Sequence, residues 1–526
     1  MTKISRIAHS PGLACICLSA TLSAQTAWMP ATRQALPEIL SSGLTPGGFR
    51  IEIAGPPGDF RFQRSTTLLP GSWQDLGGID PFFGTGEATD PGALSLPKAF
   101  YRVGGGFEET AMKLIAFDST LSSASFDGFE WGGLWSQQSR ENLIFQSAEA
   151  TSGLVTLLDG QSGGFIIEPN LDPRIYTSVN QWNDPETLPV TVSGNTWSID
   201  TFGGPVDLIP LEDGNHSLAG IARDEFSFDD DGFSSTERSL EILWSIAKSQ
   251  NAQPSDLAGN WGFIRILSDG FETEGYLDGY AFPTSIVSGP NPRTFTVNNA
   301  QGFEIEHNWD LLPAEVNSVF YPDNPGTVAS LDLASNGEVT LTLPGENPFK
   351  GIVSPSAMLM VATASTPDLQ NPSEDFGEVQ WLVGVKRTNT PALGGKTYRV
   401  LRQGWLVDGD FFEIDRGGPT DELVFNAGGT SVTRTSEFNF DNVSFEGVYD
   451  DGADPTTLTM DVNVNAQGRI LMEDGVPGSY TVRTFGFAQE GSGLLVLVDT
   501  IDFEADPEAD LAAAAALGLM IAVEVP

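Results

Sequence analysis

EILWSIAK at 241–248, EVQWLVGVK at 378–386 and LGLMIAVEV at 517–525 share one shape, a short run of large apolar residues too brief for a long helix. Such runs, bounded by turn residues, read as buried strands. Trp244 and Trp381 stand about 140 residues apart, so the look-alikes become the last strands of a repeat. Working backwards from each, a small-residue run enters an apolar strand: LAGIA at 218, LMVAT at 359 and LVLVD at 495. Before that a glycine turn opens another strand: SGNTWSID with Gly194, SNGEVTLT with Gly337 and AQGRILME with Gly468. Earlier still comes an Asp-Gly pair beside a phenylalanine, at Asp127-Gly128-Phe129, Asp269-Gly270-Phe271 and Asp408-Gly409-Asp410-Phe411. Each copy opens on an alternating strand: MKLIAF at 112, NWGFIRI at 260 and KTYRVLR at 396.

About eight strands fit each copy, with no convincing helix. Asp-Gly favours the positive φ values of a tight hairpin turn, so the expected connection is a meander. Eight antiparallel strands in sequence order close most simply into an up-and-down barrel, which leaves no edge exposed. Six four-stranded propeller blades are the rival closure of the same strands. The fold expected is therefore all-β: a small β-sandwich module followed by three tandem antiparallel barrel-like, or propeller-like, repeats. The boundaries expected are 1–27 for a signal peptide, 28–105 for the module, and 106–250, 251–390 and 391–526 for the repeats.

The module rests on residues 49–103. Ile51 and Ile53 alternate with polar residues, Gly55-Pro56-Pro57-Gly58 turns the chain, and Phe60 and Phe62 alternate again. Ser65-Thr66, Trp73, Thr89-Asp90-Pro91 and Phe100-Tyr101-Arg102 follow in order. This succession resembles a short fibronectin-III-like β module of secreted bacterial proteins, which implies secretion and modular construction and carries no chemistry. In the second repeat, Leu257-Ala258-Gly259-Asn260-Trp261 resembles the Gly-x-Trp first strand of lipocalin-like or avidin-like barrels. Leu393-Gly394-Gly395-Lys396-Thr397-Tyr398 is a weaker version, and the first repeat departs from it.

At the amino terminus Lys3 and Arg6 precede an apolar stretch, Leu13 to Leu22, and small residues around Ser23, Ala24 and Ala27. That order is a secretory signal peptide, placing the protein outside the cell or on its surface. Both cysteines, Cys15 and Cys17, lie within it. The mature chain would then have no disulfide, thiolate nucleophile or zinc–thiolate site. The terminal run Leu511–Val523 is too short for a membrane helix.

Seventy acidic against 26 basic residues give a formal net charge of −44. A surface of that sign repels phosphate backbones and anionic lipid, which argues against nucleic-acid binding. Charged residues make up 18% and hydrophobic ones 40%, so the chain folds rather than remaining an acidic tail.

No catalytic residue emerges. His216 and His307 are the histidines past the leader, both read as surface or loop residues, and no Gly-x-Ser-x-Gly elbow occurs. Two acidic clusters could hold calcium in loops, through Asp229, Asp231, Asp450, Asp451 and Asp454, although neither has EF-hand spacing. No other cofactor is implied. Trp131, Trp135, Trp182, Trp309 and Trp405 could stack on sugars or fill the sheets, whereas Trp244 and Trp381 read as core. The function expected is a secreted or surface-associated, non-enzymatic modular protein for extracellular binding or structural display. Its partner would be a glycan or a protein. The alternatives are a small-ligand-binding barrel protein and a carbohydrate-active hydrolase with paired carboxylates.

Overall fold

The computed structural model describes residues 38–525 apart from 55–59, 66–73, 80–84, 96–99, 106–107, 127–128, 150–151, 168–174, 184, 194–195, 202–203, 212–216, 231–232, 250–251, 272–273, 290, 292, 300–301, 312–313, 325, 367–375, 409–410, 416–420, 445–446, 477–479 and 504–513. The leader and its cysteines lie outside these residues. The chain divides into an amino-terminal unit and a larger unit that starts at Glu109.

The amino-terminal unit holds two three-stranded antiparallel sheets. Glu38–Thr45, Gly48–Ala54 and Thr85–Asp90 form one; Gln74–Ile79, Phe60–Ser65 and Phe100–Gly105 form the other. Ile51 from the first and Phe62 from the second share one small core with Phe49 and Tyr101, whose rings stack 4.0 Å apart. Asp90 anchors the unit although it is only 3% exposed. Its carboxylate accepts from Arg64 Nη1 at 2.8 Å, from Tyr101 OH at 2.9 Å and from the Gly92 amide at 2.9 Å. The Asp-Pro and Phe-Tyr-Arg landmarks thus meet at one buried carboxylate, whose desolvation is offset by an ion pair and hydrogen bonds.

The larger unit contains three closed eight-stranded antiparallel barrels. In the first, Glu108–Phe126, Phe129–Glu149 and Ser152–Ile167 lead to a strand in two pieces, Ile175–Trp182 and Glu186–Ser193. Thr196–Thr201, Gly204–Pro210, Ser217–Asp230 and Phe233–Ala247 complete the ring. The last strand pairs with the first, from Phe233↔Phe126 to Ala247↔Met112.

The second barrel opens with Gly259–Phe271 and Glu274–Ser288. Its third strand is Thr294–Asn299 continued by Gly302–Leu311, and its fourth is Ala314–Asn324 continued by Val328–Leu333. Glu338–Thr342, Phe349–Val353, Leu359–Thr366 and Phe376–Lys386 follow, and Trp261↔Lys386 begins the closure.

The third barrel runs Thr397–Asp408, then Phe411–Asp415 with Glu422–Phe425 as a two-piece second strand. Ser431–Ser444, Gly447–Val464, Arg469–Val476, Tyr480–Ala488, Leu494–Phe503 and Ala514–Glu524 return it to the start, where Tyr398 pairs with Glu524.

Every strand pairs with its sequence neighbours and the eighth pairs with the first, so propeller blades are ruled out. The three meanders are the same, which is what a repeat of one ancestral ring predicts. Gly337 and Gly468, with φ of 88° and 75°, occupy the turn before the fifth strand of their barrels, a conformation a Cβ disfavours. One landmark is corrected. Asp269-Gly270 does not form a turn but lies inside the ladder, opposite Tyr276 and Gly275. A single helical turn, Pro254–Leu257, separates the first two barrels.

Strand alternation gives each barrel two apolar faces. Inward residues fill one end of each ring, for example Trp197 and Leu208 in the first, Trp261 and Phe349 in the second, and Phe425 and Met472 in the third. Outward residues of all three barrels form one further core, in which Phe117 and Trp244 meet Trp381 and Val383, and these meet Trp405 and Phe485. Large side chains of one barrel seat over glycines of another: Phe165 on Gly377, Phe487 on Gly262, and Val498 and Leu517 on Gly279. Both faces of the closing strands are therefore covered, and this is why they lack polar alternation.

Candidate functional site

The second barrel is apolar at one end and polar at the other, and strand parity places each residue. On the opening strand Trp261 and Phe263 face inward with the apolar core, so Arg265 and Asp269 face inward farther along. On the second strand Ile286 faces inward, and so do Tyr280 and Asp278. The third strand changes parity between its two pieces, Thr294–Asn299 and Gly302–Leu311. Phe295 and Val297 belong to the barrel's own core, whereas Phe303 and Ile305 belong to the core between barrels. Glu304 and Glu306 are thereby turned inward, opposite Tyr280 and Asp278 in the register. Leu382 sets Gln380 and Glu378 inward on the closing strand.

Arg265 is the hub. Its Nε donates to Gln380 Oε1 at 2.8 Å, and Gln380 Nε2 donates to Glu378 Oε1 at 2.5 Å. Its Nη2 pairs with Glu346 Oε2 at 2.9 Å, and the guanidinium lies 5.2 Å from the centre of the Tyr280 ring. Tyr280 OH donates to Asp278 Oδ2 at 3.1 Å. Asp269 and Asp278 each keep a buried Oδ1 with no hydrogen-bond partner.

This arginine is outnumbered by carboxylates. Burial, reinforced by Asp278 and Glu378, pushes Asp269 up to about 8. Burial, with Glu306 and Glu304 adding to it against the Tyr280 hydrogen bond, pushes Asp278 up to about 7. Glu304 is raised by burial as well, and Tyr280 is raised by burial and then by Asp278. A carboxyl in this state donates a hydrogen bond when protonated and attracts a cation when ionised.

The other interiors differ. In the first barrel Glu241 lies directly across the ladder from Asp118, and burial followed by Asp118 and Glu141 raises it well above the carboxylate range. In the third, Asp499 takes a bidentate pair from Arg434, at 2.6 Å to each oxygen, and a hydrogen bond from Thr484 at 2.7 Å. Arg402 lies 3.4 Å from Asp499 and 3.7 Å from Asp421. Among the described residues, two arginines there meet two aspartates.

The residues singled out in the sequence fare differently. His307 is not on the surface: it is 1% exposed, and its Nε2 lies 3.0 Å from Thr500 Oγ1 of the third barrel. Burial pulls it down to about 3, so it is neutral. His216 lies outside the described residues. Trp405 is buried in the shared core and is not available to a sugar. Trp182 is half-buried over Gly160, and the side chains of Trp131, Trp135 and Trp309 lie outside the described ones. Asp450, Asp451 and Asp454 belong to the strand Gly447–Val464 and Asp229 to Ser217–Asp230, not to loops. Their side chains, and all of Asp231, lie outside the described ones. Among the described residues no group of three or more His, Cys, Asp or Glu is arranged to hold a metal ion.

Arg265, Asp278, Tyr280 and Glu304 were not singled out in the sequence. The available signal was alternation in FIRILSDGF and GYLDGYAF, where charged residues continue the parity of inward aromatics.

No helix among the described residues is long and apolar enough to cross a membrane. No family model matches the chain, and no curated protein matches it. Solved structures similar to it include two of transferrin binding protein B from Haemophilus parasuis. The double mutant has 9% identity and a TM-score of 0.21, over 93% of this chain and 86% of that one. A single mutant has 9% identity and a TM-score of 0.24, over 99% and 89%. OccK7 of Pseudomonas aeruginosa has 7% identity and a TM-score of 0.18, over 80% and 99%. At these TM-scores none of the three bears on function here, and the architecture rests on the strand pairing of the chain itself.

Proposed function

We propose that this is a secreted or surface-associated, non-enzymatic binding protein whose middle barrel holds a small cationic ligand. The observation that carries the reading is the excess of inward carboxylates around Arg265, with two of them raised toward neutrality. An ammonium group entering that half of the ring would relieve the repulsion and supply the missing hydrogen-bond donors. The leader-like first 27 residues and the appended β-sandwich support an extracellular setting, with the sandwich as a fibronectin-III-like spacer over 28–105. The first and third barrels serve as scaffold. Calcium at Asp229, Asp231, Asp450, Asp451 and Asp454 belongs to the same extracellular reading, and a melting temperature raised by Ca²⁺ and restored by EDTA is its test.

The test of the binding reading is thermal stabilisation by spermidine and by glucosamine, each compared with its neutral analogue, at pH 8. Stabilisation by the amines alone, lost in Asp269→Asn and Asp278→Asn, is expected. Equal responses from the two variants and the unaltered chain would remove the site from this role.

A second reading takes the same two raised carboxyls as the acid and base of a glycoside hydrolase. Release of reducing ends from a polysaccharide, abolished in Asp269→Asn, would select it over simple binding.

A further inference from the structure

A second constellation lies where the first barrel meets the second. Lys113 and Asn142 sit on the first and second strands of the first barrel, and Lys113 Nζ donates to Asn142 Oδ1 at 3.1 Å. Lys248, just past the closing strand, donates to the same oxygen at 2.8 Å. On the other side of that amide, Asn142 Nδ2 donates to Asp159 Oδ1 at 2.5 Å. The second barrel contributes Glu338, whose Oε1 lies 3.0 Å from Lys248 Nζ and 3.8 Å from Lys113 Nζ. The Lys113 side chain is 15% exposed.

A primary amide is unreactive toward an amine in water because the amine is protonated, the carbonyl is weakly electrophilic and the encounter is rare. Here each obstacle is reduced. Burial lowers Lys113 from its ordinary value, outweighing the attraction of Glu338. The Lys248 ammonium polarises the carbonyl oxygen that Lys113 approaches. The strands hold nucleophile and carbonyl in contact, which replaces a bimolecular encounter.

We propose that Lys113 and Asn142 join in an intramolecular isopeptide bond. Lys113 Nζ gives one proton to Glu338 and adds to Asn142 Cγ. The negative charge on Oδ1 is held by the Lys248 ammonium. The Cγ–Nδ2 bond then breaks, and the departing nitrogen takes a second proton from Nζ and leaves as ammonia. Ammonia recovers the proton from Glu338, so one lysine ammonium and one primary amide become one secondary amide and one ammonium ion. Nothing is oxidised or reduced. Asp159 orients the leaving nitrogen. Because Glu338 comes from the neighbouring barrel, the bond forms only after the two barrels have docked.

The experiment is peptide mapping by tandem mass spectrometry of the full secreted chain. The expected product is a branched peptide with two amino termini, joined between Lys113 and Asn142 and lighter than its unlinked halves by one ammonia, about 17 Da. It is absent from Lys113→Arg and Asn142→Ala, and depleted at least tenfold in Glu338→Gln, whose fold is checked by circular dichroism. Recovery of only unlinked peptides from the unaltered chain overturns the proposal without recourse to any variant. A branch through Lys248, or full linkage in a folded Glu338→Gln, overturns the assigned roles.

Discussion

Trp381 and Trp405 stack with ring centroids 4.9 Å apart, one on the closing strand of the second barrel and the other on the opening strand of the third. Trp405 Nε1 also donates to Ser119 Oγ of the first barrel at 2.7 Å, so a single side chain touches all three rings. Trp405→Ala should therefore cost about 3–5 kcal/mol, the range for emptying a buried aromatic site. Chemical denaturation monitored by tryptophan fluorescence measures it. A loss below about 1 kcal/mol would show that the rings do not share this core.

The glycine seats make a complementary test by addition. Gly262→Val places methyl groups against the Phe487 ring of the third barrel and should destabilise by about 1–3 kcal/mol. Gly43, on an exposed strand of the amino-terminal unit, has open space at the Cβ position, and Gly43→Ala should change the same midpoint little. Similar shifts in both variants would argue against docking through Gly262.

Asp499 is held below the usual carboxylate range because Arg434 and Arg402 outweigh its burial. Asp499→Asn removes the buried counter-charge of Arg434 and leaves Arg402 to Asp421, and should cost about 3–5 kcal/mol. Replacing Asp499 and Arg434 together by apolar residues of similar size should recover much of that loss. A double variant as unstable as the single one would contradict internal neutralisation as the role of the pair.

His307 gives acid sensitivity. Folded it titrates near 3, unfolded near 6.5, so the unfolded chain binds the extra proton between those values. Stability is then complete above about pH 6.5 and falls on acidification, by at most about 1.4 kcal/mol per pH unit from this group. His307→Gln, which can keep the contact with Thr500, should flatten that limb in a urea titration from pH 7 to pH 4.

Asp269 and Asp278 act with the opposite sign. Their folded values, about 8 and about 7, exceed the unfolded one, so the folded state keeps protons that the unfolded state has lost. Their stabilising contribution is complete below about pH 4 and declines as pH rises to about 8. Asp269→Asn should melt higher than the unaltered chain at pH 8 and show a shallower decline between pH 6 and pH 8. Parallel curves would mean that Asp269 is ionised throughout.

What could be read before any coordinates was local. Alternation in NWGFIRI and KTYRVLR, the glycines at 337 and 468, and the apolar runs ending each copy mark strands and turns because backbone geometry and two-faced burial act over a few residues. Asp269-Gly270 misled because a turn dipeptide is equally compatible with a continuing ladder when the neighbouring strand supplies the register. His307 misled because its acidic neighbours point to the opposite face once the strand's parity reverses between Asn299 and Gly302.

The sequence alone determined an all-β chain built of three copies of one meander, since each copy carries its own turn chemistry and strand periodicity. Only the tertiary structure decided that the meanders close as barrels and that their outer faces meet in one core. It also decided that carboxylates distant in the chain gather around Arg265. Those outcomes depend on which faces are covered by other strands, and alternation along a strand records that a face is buried without recording what buries it.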